Sequence, residues 1–138
     1  MRKLALIIAA TLTACSALDY GSEQTVPALI ELSSTDSVVF VVPDTVTRGV
    51  AFDVSVRSYG GGCVTQGPTE VASAGDTLVV HPYHVVRTGR DIACTAELRH
   101  FTHTARLTFP TAGTRSVRVI GGNAEGFLIS RTRDVVVR

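Results

Sequence analysis

Apolar and polar residues alternate over much of the chain. Val50, Phe52, Val54 and Val56 alternate with Ala51, Asp53, Ser55 and Arg57, the two-residue period of a strand with one buried face. Ala105, Leu107 and Phe109 alternate in the same way with Thr104, Arg106 and Thr108, and Val117 and Val119 flank Arg118. Residues 38–42 are apolar on both faces and suit a first strand laid into a sheet. Residues 78–87 and 127–138 read as strands whose alternation slips mid-run, which predicts a bulge or bend in each. Residues 70–73 make a shorter candidate. The 3.6-residue apolar period of an amphipathic helix does not emerge in this region.

Turn signals separate the runs: Pro43-Asp44, Arg48-Gly49, Gly60-Gly61-Gly62, Gly67-Pro68, Gly75-Asp76, Thr88-Gly89, residues 110–113 and Gly121-Gly122-Asn123. About seven short strands at 10–15-residue spacing, over roughly 100 residues, predict an all-β fold, a single antiparallel sandwich occupying residues 38–138.

The first residues follow another pattern. Arg2 and Lys3 precede a short apolar run over residues 4–12. That run is too short for a mature helix across a hydrocarbon core of about 30 Å, and it fits the apolar segment of a secretory signal. It ends in Leu12-Thr13-Ala14-Cys15, which resembles the lipobox of bacterial lipoproteins: Leu, then Ser/Thr/Ala, then Ala/Gly, then Cys. The resemblance implies that residues 1–14 are a cleaved signal peptide and that Cys15 carries a diacylglyceryl group, with its new amino group acylated as well. Two or more acyl chains hold a protein stably to a membrane without spanning it. Ser16 follows, where Asp would favour retention in the inner membrane, so the implied address is the outer membrane facing the periplasm. Residues 15–37 are mixed and polar and read as lipidated N-terminus and tether, able to span about 25 Å as a loose coil. A short helix over residues 26–32 is an alternative within it.

The segment Leu107-Thr108-Phe109-Pro110-Thr111-Ala112-Gly113-Thr114-Arg115-Ser116-Val117-Arg118-Val119 resembles the E-to-F strand turn of bacterial immunoglobulin-like domains. The resemblance implies an immunoglobulin-like β-sandwich and carries no activity. Those domains often place a Tyr two residues after the Gly. Arg115 stands there, so the usual hydroxyl-to-backbone corner bond cannot form.

Composition narrows the function classes. The 138 residues are 45% hydrophobic and 18% charged, too apolar for a disordered chain and long enough for one domain. Without Arg2 and Lys3, eleven basic residues remain against twelve acidic ones, a charge near −1. This balance does not suit nucleic acid. Residues 15–80 carry −6 and residues 81–138 carry +5, which strands from the two halves can compensate by pairing. All eleven mature basic residues are Arg, so a phosphate-binding Gly-x-x-x-x-Gly-Lys loop is excluded. A Gly-x-Ser-x-Gly elbow is missing too.

With Cys15 lipidated, Cys63 and Cys94 remain in a chain exported to an oxidising compartment, and they are expected to pair. They do not form a Cys-x-x-Cys redox motif. His81 and His84, and likewise His100 and His103, stand three residues apart. On a helix that spacing faces both rings toward one metal, whereas on a strand it separates them to opposite faces. Tyr59, Tyr83, Arg99 and Phe101 are candidates for a small binding surface at the loop ends. The expected protein is a non-catalytic binding or structural module of the bacterial envelope, without cofactor, whose partners are the membrane and another envelope protein or polymer. The alternative is a small-ligand or metal-binding lipoprotein using His81, His84, His100 and His103.

Overall fold

The computed structural model describes residues 21–31 and 39–138. The signal segment 1–14, the lipobox with Cys15, and residues 16–20 and 32–38 of the expected tether lie outside the described residues. Nine strands and no helix make up the regular structure among those described: β1 (Ser22–Pro27), β2 (Phe40–Val41), β3 (Thr45–Val46), β4 (Phe52–Gly60), β5 (Val64–Ala74), β6 (Thr77–Thr88), β7 (Arg99–Leu107), β8 (Gly113–Gly122) and β9 (Leu128–Val137). The all-β expectation therefore holds.

The strands form two sheets. The larger runs β1-β6-β8-β9-β3, with β5 also on β6, and the smaller runs β2-β4-β7. One edge of β6 carries β5 along its length, and the other is shared by β8 at Thr77 to Val80 and by β1 at Tyr83 to Thr88. The larger sheet is mixed, since β6–β8 and β3–β9 are parallel. This corrects the expectation of a wholly antiparallel fold. After β6 the chain passes through β7 in the other sheet before returning as β8, and two reversals restore the direction of β6.

Inward positions follow the two-residue period. Val54 and Val56 on β4, Ala105 and Leu107 on β7, Val80 on β6, Val117 and Val119 on β8, and Val135 and Val137 on β9 form one buried cluster with Phe40 and Phe109. Each fully buried Val contributes about 1.5–3 kcal/mol of transfer free energy.

Of the bulge or bend expected in residues 78–87 and 127–138, no bulge is found on β6 or β9, since β6 keeps an unbroken register with β8 and then with β1, and β9 with β8. The slips in alternation have side-chain causes. Val79 is buried on the outward side of β6, and Arg131 and Arg133 take the β9 positions opposite inward Val119 and Val117. The irregularity lies instead in β5, between Gln66 and Thr69, opposite Pro82. Proline has no N–H to give a ladder and is tolerated beside such a bulge. Gly67 fits there because an added Cβ would lie 2.8 Å from the Tyr83 carbonyl oxygen.

Residues 22–31 belong to the folded unit, which corrects their assignment to the tether and removes the helical alternative. β1 pairs with β6 over six residues. The chain then crosses between the sheets: Ala28 N donates to Pro82 O, Gly122 N to Ala28 O, Ile30 N to Gly122 O and Tyr59 N to Leu29 O. Leu29 thus bridges β4 and β8. β1 escaped the sequence reading because Ser22, Glu23, Gln24 and Thr25 are all exposed, so no buried face marks it.

Cys63 and Cys94 form a disulfide with Cα atoms 5.1 Å apart. Closing the loop between them is worth about 3.5–4 kcal/mol in the chain-entropy account. Arg115 binds the turn before β8 and the β5–β6 turn. Its Nη2 donates to Thr111 Oγ1 at 2.7 Å and to the Ala112 carbonyl at 3.4 Å, while its Nη1 pairs with Asp76.

The crossing needs a residue without a side chain at position 121, where a Cβ would strike Ile30 and lie 2.8 Å from the Ala28 carbonyl oxygen. Gly121→Ala should cost about 1–3 kcal/mol by overpacking, read as a lowered urea midpoint at unchanged m-value. An unchanged midpoint would show that residues 28–30 do not pack tightly on β8.

Candidate functional site

The inward rows of three strands change from apolar to polar at one level of the core. Val54 and Val56 are followed by Ser58 on β4, Val80 and Pro82 by His84 on β6, while Leu107 and Ala105 lead back to His103 on β7. Ser58 and His84 are 1% exposed and His103 is 0%. Ser58 Oγ lies 2.8 Å from His84 Nε2 and 2.9 Å from His103 Nε2. One hydroxyl therefore joins imidazoles from opposite sheets.

The strand β5 closes this junction. Its bulge brings Thr69 Oγ1 to 3.2 Å from His103 Nδ1, and Gln66 Nε2 donates to the Thr102 carbonyl at 3.0 Å. The Phe101 ring packs edge-on against His84 at 5.1 Å between centroids, and the two imidazoles are 5.6 Å apart.

Hydrogen-bond counting is met by two neutral rings. A hydroxyl has one proton and two acceptor sites. Ser58 meets both rings when it donates to one Nε2 and accepts from the other Nε2–H, an arrangement that uses the hydroxyl proton and places neutral rings in opposite tautomers. Burial opposes charge: it lowers the His84 pKa to about 4, with a smaller contribution from the neighbouring His103 imidazole, and it lowers that of His103 as well. Ser58 with a histidine has the chemical make-up of an activated nucleophile. Its enclosure between the sheets instead makes it a structural donor and acceptor.

The histidine pairs divide as strand geometry requires. His81 and His100 point to the outer faces, opposite Glu70 and Tyr59 respectively, and only His84 and His103 meet. Among the described residues no three His, Cys, Asp or Glu side chains gather to hold a metal ion. The proposed aromatic surface divides too. Arg99 lies 5.8 Å above the Phe101 ring and pairs with Glu97 at 3.8 Å, whereas Tyr59 is on the outside of the smaller sheet and Tyr83 on the outside of the larger one.

Among the described residues, two of the surface depressions are sizeable. A cleft of about 600 Å3 is bordered by Ile30, Glu31, Tyr59, Asn123, Glu125 and Ile129. A mainly apolar one of about 260 Å3 on the outer face of the larger sheet is lined by Pro27, His81, Pro82, Tyr83, Ile120 and Leu128. Phe127 and Leu128 beside it are each 68% exposed.

Ser58 was not among the residues singled out from sequence, although its parity with Val54 and Val56 places it inward. Thr69 carries no such signal, because its direction depends on the β5 bulge. No protein-family model, curated protein or solved structure matches this chain.

A histidine pKa lowered in the folded state leaves the unfolded chain binding more protons between the two values. Stability is therefore full above about pH 7 and is lost as pH falls from 6.5 toward 4. His84 alone accounts for about 3 kcal/mol of that loss, and His103 adds to it. Urea midpoints measured between pH 7.5 and 4 should fall steeply over this window, and His84→Gln should make the fall shallower, leaving the part due to His103. A flat wild-type profile would mean that the rings are not buried as neutral groups.

Proposed function

We propose that the protein is a lipid-anchored bacterial envelope protein whose immunoglobulin-like β-sandwich acts as a non-catalytic binding or structural module. The anchor rests on the Leu12-Thr13-Ala14-Cys15 motif. The immunoglobulin-like assignment draws support from two β-sheets sharing one buried core.

The observation that carries the module reading is the division between inside and outside. The polar groups most suited to chemistry, Ser58, His84 and His103, are sealed between the sheets. The larger sheet turns outward an apolar depression flanked by exposed Phe127 and Leu128. Exposed apolar residues grouped in this way suit contact with another molecule. The partner in this reading is another envelope protein or polymer, not nucleic acid, and the location is the outer membrane facing the periplasm.

The anchor has a direct test. With Cys15→Ala, metabolic labelling with a fatty acid should give no acylated product, and the protein should leave the membrane fraction. Retention in the membrane fraction without acylation would overturn the reading.

A further inference from the structure

The fold begins much closer to Cys15 than a long tether would place it. Ser22 is already paired with Thr88, and Glu23 with Arg87. Gly21 packs directly on the loop after β6: a Cβ there would lie 2.9 Å from the Thr88 carbonyl oxygen and strike Ile92, and one on Gly89 would lie 2.8 Å from the Gly21 Cα. The same loop covers the β4–β5 turn, where Gly62 N donates to the Thr95 carbonyl and the Cys63–Cys94 disulfide ties the two together. Gly21, residues 60–63 and residues 88–99 therefore form one pole of the domain.

The opposite pole is equally well defined. Gly49 N donates to the Phe109 carbonyl, Arg48 N to the Arg138 carbonyl, and Arg115 reaches Asp76. The turns at 47–50, 75–76 and 111–113 thus gather with Arg138 at the far ends of the strands.

Two lengths decide which pole meets the lipid. The six residues from Cys15 to Gly21 span at most about 20 Å at full extension. The twelve residues of β6, which run from the far pole to the near one, are about 40 Å long. With the far pole on the membrane, Gly21 would stand about 40 Å above it, beyond the reach of the chain.

The near pole also suits close apposition to lipid. Glu23 pairs with Arg87 and Glu97 with Arg99, and Arg90 is followed by Asp91, so the charges within residues 88–99 and on the adjoining β1–β6 pair balance. Leu98 is 69% exposed there, next to exposed Ala93 and Ala96.

We propose that the disulfide-pinned pole, residues 60–63 and 88–99, is the membrane-facing surface of the anchored protein, with the 47–50, 75–76 and 111–113 turns directed away from the lipid. The proposal rests on acylation of Cys15. It leaves the outer face of the larger sheet standing upright on the membrane and open to a partner alongside.

The test uses the full mature, acylated protein in lipid nanodiscs containing a gadolinium-chelating head-group lipid, with amide NMR signals compared before and after gadolinium loading. Amides at 61–62 and 90–98 should be attenuated several-fold more than those at 48–49, 75–76 and 112–113. Equal attenuation at the two poles, or stronger attenuation at the far one, with Cys15 acylated by mass spectrometry, overturns the orientation alone. A mature protein purified from membranes with Cys15 unacylated overturns the anchoring reading and this one with it.

Discussion

A single hydroxyl, that of Ser58, has to satisfy two imidazoles that arrive from opposite sheets. These polar atoms are shut off from bulk solvent, so a missing partner would leave a buried ring nitrogen unsatisfied at a cost of about 1–3 kcal/mol. The requirement fixes the sheets in two directions. It sets their separation, because Nε2 of His84 and of His103 must both come within 2.9 Å of Ser58 Oγ. It also sets the level of β5, whose bulge is needed to bring Thr69 to the remaining nitrogen of His103. The valine cluster supplies most of the apolar burial but tolerates sliding. The polar junction does not.

The rest of the fold organises around that fixed level. Below it lies the apolar cluster, ending at the far turns. Above it the chain crosses from β1 between the sheets, with Gly121 admitting Ile30, and the disulfide ties the β4–β5 turn to the loop after β6. One half of the interior is therefore held by dispersion and burial, and the other by directional bonds and a covalent link. Gly21, the first described residue, packs beside the second half, where a load applied at β1 meets its hydrogen bonds to β6 and a cross-linked loop.

Legibility in the sequence followed the burial of one face. β4 and β7 bury alternate residues and could be read directly from Val54, Val56, Ala105 and Leu107. β1 could not, since its identity as a strand comes entirely from pairing with β6 and not from its own side chains. β5 was seen only in part for the same reason: nearly all of its positions are exposed, and Gly67-Pro68 signals a turn where the structure makes a bulge. The mixed larger sheet was invisible because strand direction depends on how β7 leaves and re-enters the two sheets. The separation of the histidine pairs to opposite faces was legible from the two-residue period, and the Cys63–Cys94 bond from the cysteine count and expected export. The meeting of His84 and His103 was not, since it depends on the register between sheets.

Whether Ser58 binds two neutral imidazoles together can be read from long-range 1H–15N correlation of the histidine side chains at pH 7.5. His84 and His103 should both be neutral and in opposite tautomers, one protonated at Nε2 and the other at Nδ1. Either ring found charged, or both found in the same tautomer, would contradict the account.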